Sequence, residues 1–171
     1  EEMGDEVGCS GLRRSLGRNR QLQGDWGSAR EHFQQAARAY EALGDLRGYW
    51  DAQNNLGNLY SERGDCKKAI MCYKFGLDAA KAGGDRHGAA LASSNLAAAL
   101  LDDGEIDRAR ELYEGCREEF SQIGDVRGEG QSLLGLAAAV CAGGDLSKAL
   151  QCYQGCLAFH MKNDDSPAMM A

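Results

Sequence analysis

An all-α array of antiparallel helix hairpins is the architecture to expect from this 171-residue chain. Gly-Asp recurs at 4-5, 24-25, 44-45, 64-65, 84-85, 124-125 and 144-145, and Gly104-Glu105 completes the series. The segments between these marks, about 15 to 18 residues each, suit helices and exceed ordinary strands. They also alternate in character, so the repeating unit is 40 residues, a helix A followed by a helix B. About four hairpins and eight helices follow.

Each mark reads as a stop and a start. Glycine tolerates the left-handed conformation that ends a helix, and aspartate accepts backbone N–H bonds at the beginning of the next. Residues 1–5 align with the end of a preceding helix B. The first hairpin, 6–44, carries Leu16-Gly17 in helix A and Ala29, Phe33 and Ala36 in helix B. The second, 45–84, repeats this as Leu56-Gly57, then Ala69, Tyr73 and Gly76. The third, 85–124, has Leu96-Ala97, then Ala109, Tyr113 and Cys116. The fourth, 125–164, has Leu136-Ala137, then Ala149, Tyr153 and Cys156. Residues 165–171 are a tail or the start of a further helix. A small residue four positions before an aromatic ring shares its helical face: the small one admits a neighbouring helix and the ring fills the gap.

Composition narrows the function classes. The net charge of −7 argues against nucleic acid as the main partner, because phosphate binding needs a concentrated Lys/Arg surface. No apolar run approaches the roughly 18 residues of a membrane span. Seven cysteines without a C-x-x-C predict reduced thiols in a cytoplasmic or nuclear setting.

Leu56-Gly57-x-x-Tyr60 followed by Ala69-x-x-x-Tyr73 resembles the tetratricopeptide repeat, whose pattern has Leu-Gly-x-x-Tyr in the first helix and Ala-x-x-x-Phe in the second. The resemblance covers residues 6 to 163. It departs from the family in its 40-residue period, where about 34 is usual, and in lacking the proline after helix B. Repeats of this length carrying Gly-Asp-x-x-Gly, as in Gly44-Asp45-Leu46-Arg47-Gly48 and again with Gly8, Gly88 and Gly128, are similar to the Pins-type adaptors that orient mitotic spindles. The resemblance implies a right-handed superhelical solenoid whose concave face, lined by the A helices, holds an extended or helical segment of a partner protein.

Carrying the family's groove positions onto this chain gives Gly11, Arg14, Arg18 and Gln21, then Asp51, Asn54, Asn58, Ser61 and Glu62. The third hairpin supplies Leu91, Ser94, Ala98, Leu101 and Asp102, and the fourth Gln131, Leu134, Ala138, Cys141 and Ala142. Such a groove begins cationic, becomes amide-rich and ends apolar. Asn55 and Asn95 match the asparagine ladder with which some members hold a peptide backbone, since an amide both donates and accepts. The family's carboxylate clamp is matched only at Arg14 and Asn55; Arg18, Leu91 and Asn95 depart from it and remove charge that a doubly anionic terminus needs. The expected ligand is a segment that brings Asp or Glu to Arg14 and Arg18 and lays an apolar side along Leu91, Leu101 and Leu134. The basic first hairpin (Arg13, Arg14, Arg18, Arg20, Arg30, Arg38) and the acidic third also favour head-to-tail self-association. The competing reading is an architectural segment of a larger assembly with no exchangeable ligand.

No enzyme, metal or cofactor is expected. Cys152, Cys156 and His160 share a helical face, but Cys156 stands in the small-residue column and His160 in that of Tyr40, Ala80 and Phe120. The recurring aspartates serve helix starts.

Overall fold

The computed structural model describes residues 2–164. Its regular elements there are all helices: α1 (Glu2–Leu22), α2 (Trp26–Leu43), α3 (Leu46–Glu62), α4 (Cys66–Ala82), α5 (Arg86–Asp102), α6 (Ile106–Ile123), α7 (Val126–Ala142) and α8 (Leu146–Asp164). The backbone turns at Gly24, Gly44, Gly64, Gly84, Gly104, Gly124 and Gly144, all with φ between +68° and +87°, a region glycine enters without the Cβ clash.

Aspartates 25, 45, 65, 85, 125 and 145 then each accept a bond from the backbone N–H three residues on, at 2.8 to 3.3 Å. This satisfies a donor that the first helical turn leaves without a partner. Glu105 makes no such bond. One methylene longer than aspartate, it pairs instead with Arg108.

Gly4-Asp5 departs from the expected punctuation. α1 runs unbroken through it, so residues 2–5 belong to α1 and do not end a separate helix. Glycine permits the left-handed turn but does not impose it, and the turn is set by the packing of the two helices it joins. The tail expected at 165–171 lies outside the described residues.

The chain divides into two compact units, Glu1–Ala92 and Ser93–Ala171, with the division inside α5. In the first unit α1 packs on α2, α2 on α3 and α3 on α4. Its rings are seated on glycine: a Cβ on Gly17 would lie 2.6 Å from the Phe33 ring, and one on Gly57 2.4 Å from that of Tyr73. Phe33 also packs with Leu56 and Leu59 of the next hairpin, and Tyr40 with Ala52. In the second unit α6 packs on α7 and α7 on α8. There the Phe120 ring covers Gly128 and that of Tyr113 covers Gly135, each within 2.4 Å of where a Cβ would stand.

Within a hairpin, one large residue faces one small one where helix B ends against the start of helix A. The first hairpin has buried Ser10 on α1 and Tyr40 on α2. The second reverses the sizes: Trp50 of α3 packs with Ala79 and Ala80 of α4. In the fourth, His160 of α8 lies against Gly130 of α7. Close-packed interiors conserve volume rather than residue type, so either helix can supply the bulk.

The columns hold with three departures. Ala29, Ala69, Ala109 and Ala149 are all buried, as are Phe33, Tyr73 and Tyr113, but Tyr153 is 40% exposed. Leu56 and Leu96 are buried, whereas Leu136 is half-buried and Leu16 is exposed. A helix A covers the ring of the preceding helix B, and among the described residues α1 and α8 each lack that neighbour on one side.

Candidate functional site

The first unit places the A helices α1 and α3 side by side and joins them through polar side chains. The Arg14 guanidinium forms an ion pair with the Asp51 carboxylate, and Gln21 Nε2 donates to Glu62 Oε2 at 2.8 Å. Both links use residues expected to face a ligand. Arg14 is therefore half-buried and partly neutralised, while Arg18, on the same helix, is exposed.

Along α3, Asn54, Asn55, Asn58 and Ser61 are half-buried and Glu62 is exposed. Asn55 Nδ2 donates to the Asp51 carbonyl at 2.7 Å, within its own helix. The Tyr73 hydroxyl donates to Asn58 Oδ1 at 2.7 Å, which leaves the Asn58 amide N–H groups directed away from that bond. One N–H of a primary amide engaged internally leaves the second available to a ligand.

A concavity of about 570 Å³ on this unit opens between the starts of α3 and α5. Asp51 and Leu91 line it, together with Leu46, Arg47, Trp50 and His87. Trp50 forms its wall: the indole Nε1–H donates to Asp85 Oδ2 at 3.2 Å, and a Cβ on Gly88 would meet the ring at 2.8 Å. Arg47, Trp50 and His87 were not among the expected groove residues. A signal that could have found Trp50 is its size in the aligned columns, where it stands at the place of Ser10, Ala90 and Gly130 while Ala80 stands at that of Tyr40 and Phe120. A second, smaller cleft of about 220 Å³ is lined by Tyr49 and Tyr60 of α3 together with Met71 and Phe75 of α4.

The second unit holds the other expected residues. On α5, Ser94, Asn95 and Leu101 are half-buried and Ala98 is exposed. On α7, Gln131 and Leu134 are exposed and Ala138 is half-buried. Gly135, one repeat beyond Asn95, lies beneath the Tyr113 ring, so an asparagine there would displace it.

Burial pushes the Cys72 thiol up to about 11 and that of Cys116 to about 12, which keeps both protonated and unreactive. The Asp25 carboxyl is held below its ordinary value by the hydrogen bonds from Ser28, and that of Asp65 by those from Lys68, as befits helix caps. His160 stacks edge-on against Phe159 at 5.8 Å between ring centres. Among the described residues no helix is long and apolar enough to cross a membrane.

Comparison with known proteins places this geometry. A family profile described as "Tetratricopeptide repeat" matches residues 10–82 and 88–162. A search of curated protein sequences finds no match. Among solved structures, BtubC from P. vanneervenii superposes with a TM-score of 0.82 at 18% identity, over 92% of this chain and 65% of that one. Aspartyl phosphate phosphatase F from Bacillus subtilis gives 0.82 at 10% identity, over 94% and 42%. A Rap protein complexed with Competence and Sporulation Factor gives 0.79 at 14%, over 96% and 45%. At these identities the likeness concerns the fold, and the chain spans less than two thirds of each of the three.

Proposed function

Because the chain belongs to the tetratricopeptide-repeat family and is thereby a protein-interaction scaffold, we propose that it is an adaptor whose A-helix face binds an extended or helical segment of a partner protein. The observation that carries this reading is the polar row of α3 running into the cavity lined by Asp51 and Leu91. Asn54, Asn55 and Ser61 supply hydrogen bonds that suit a peptide backbone, and Leu91 and Trp50 supply apolar wall for one anchoring side chain. A Rap protein of the same fold has been crystallised in complex with Competence and Sporulation Factor, which supports a ligand-binding role for such an array.

The ion pair of Arg14 with Asp51 changes the expected chemistry. An acidic residue of the ligand meets Arg18 and Arg47, the exposed cations, rather than Arg14. In the second unit, taken by itself, we propose the same role for Ser94, Asn95, Ala98 and Leu101 on α5 and for Gln131, Leu134 and Ala138 on α7. We place this activity in a reducing compartment, cytoplasmic or nuclear, because all seven cysteines are free thiols.

Selection from a displayed library of random extended peptides tests the reading. The expected ligands carry Asp or Glu beside an apolar anchor, and Arg18→Glu with Asn54→Ala weakens them at least about tenfold, roughly 1.4 kcal/mol. Arg14→Glu is a poorer variant, because it breaks the link between α1 and α3. Peptides whose affinity ignores Arg18→Glu, Arg47→Glu and Asn54→Ala alike would remove the A-helix face from consideration.

A further inference from the structure

In the first unit, two hairpins are joined by laying a helix A on the preceding helix B. Leu56 and Leu59 of α3 pack with Phe33 of α2, Ala52 packs with Ala36, Ala37 and Tyr40, and the Tyr40 ring fills the notch at Gly48. α8 presents the equivalent surface with no helix on it among the described residues. Leu146, Leu150, Tyr153, Leu157 and Met161 are all exposed, with Leu150 at 59% and Leu157 at 62%. Their spacing of four, three, four and four places them on one stripe of the helix. α1 presents the other half of such a junction. Leu12 and Leu16 stand at the places of Ala52 and Leu56 and are 66% and 48% exposed. Gly8, at the place of Gly48, has nothing within 4 Å of where its Cβ would be.

We infer that α1 of a second copy of this chain docks on α8, re-forming between molecules the junction that α3 makes on α2. The internal junction then serves as a template. Leu16 of the second copy takes the position on Tyr153 that Leu56 takes on Phe33. Leu12 and Leu157 exceed the alanines they replace. Room for them comes from His160, which lies against Gly130 of its own hairpin and so does not fill the space that the Tyr40 ring takes at Gly48. The two polar links between α1 and α3 transpose as well: Arg14 with Asp51 becomes Leu134 with Gly11, and Gln21 with Glu62 becomes Cys141 with Leu22. Leu134 and Leu22 are both exposed, the latter at 86%. Polar links inside the chain thus give way to apolar residues at the faces that would meet across it.

The contact encloses the apolar side chains of both faces at once: Leu146, Leu150, Tyr153, Leu157 and Met161 of α8 against Leu12 and Leu16 of α1. The contact is heterologous, because the two faces differ, and each copy keeps one of each free.

Sedimentation velocity on the 171-residue chain tests this with two variants, Leu150→Glu/Leu157→Glu on α8 and Leu12→Glu/Leu16→Glu on α1. All four positions are exposed, and a far-UV CD melt checks that each variant folds; the corresponding glutamine substitutions replace any that does not. Wild type is expected to gain mass with concentration, and each variant alone to remain monomeric. Mixed one to one, the two variants are expected to form a dimer of twice that mass and nothing larger, since only one complementary pair of faces survives. Self-association of the α1 variant by itself would assign α8 to a symmetric pairing with another α8 and overturn the inference. A wild type that stays monomeric at about 200 µM, far above the micromolar range of specific association, overturns it too and leaves the face to a further segment of the same polypeptide.

Discussion

Glycine has two separate duties in this chain, and they respond oppositely to substitution. At Gly48 the Tyr40 ring occupies the space of a side chain, 2.3 Å from where a Cβ would be. Gly48→Ala therefore forces the ring or the helix to move, at a cost of about 1–3 kcal/mol. Gly8 holds the same place in the repeat with open space around it, so Gly8→Ala removes only the entropic penalty of a helical glycine and stabilises by about 0.5–1 kcal/mol. Chemical denaturation of the two variants beside wild type is expected to move the midpoints in opposite directions. Equal losses at both positions would mean that contact with the ring is not what selects glycine. Asn58 shows how a residue's role changes once its neighbours are placed. As a sequence position it is a surface amide, yet in the structure its oxygen is engaged by the Tyr73 hydroxyl.

The hairpin is the element whose logic the aligned columns reveal only in part. Its boundaries follow from the Gly-Asp marks, because left-handed glycine and a capping carboxylate are local effects that act within one turn of backbone. The Trp50 and Ala80 pair does not follow in that way: it depends on which side chain of the opposite helix arrives at that level. Copying the first hairpin's Ser10 and Tyr40 into the second tests the size exchange. Trp50→Ser alone is expected to cost about 3–5 kcal/mol through the cavity it leaves, and Ala80→Tyr alone about 1–3 kcal/mol through overpacking. The double variant should cost at least about 1 kcal/mol less than the sum, the signature of residues in contact. Strict additivity in urea denaturation would show that the two do not share one space.

Taken as a whole molecule, the chain is an array in which stability is supplied by neighbours. Hydrogen exchange should reflect this. Amides in α3 and α4, where Leu56, Leu59, Tyr73 and Leu77 are buried, are expected to exchange at least about tenfold more slowly than those of α1 and α8, each of which has an exposed apolar face. Measured below the concentration of self-association, uniform protection across all eight helices would contradict a nearest-neighbour account. The net charge of −7 leaves that ordering unchanged, since surface charge governs association more than fold.

Much of this was legible before any coordinates. Helix type, hairpin length, turn positions and the buried alanine and ring columns follow from periodic patterns and from backbone conformations that only certain residues adopt, and both are written locally. Family membership follows from the same residues. Other features required the packed chain: the pairing of Arg14 with Asp51, the cavity beside Trp50, the continuity of α1 through Gly4-Asp5, and the bare stripe on α8. Each depends on which residues far apart in sequence meet or fail to meet. A one-dimensional repeat specifies its own period, but the partner of an individual side chain is set by distance and volume in three dimensions.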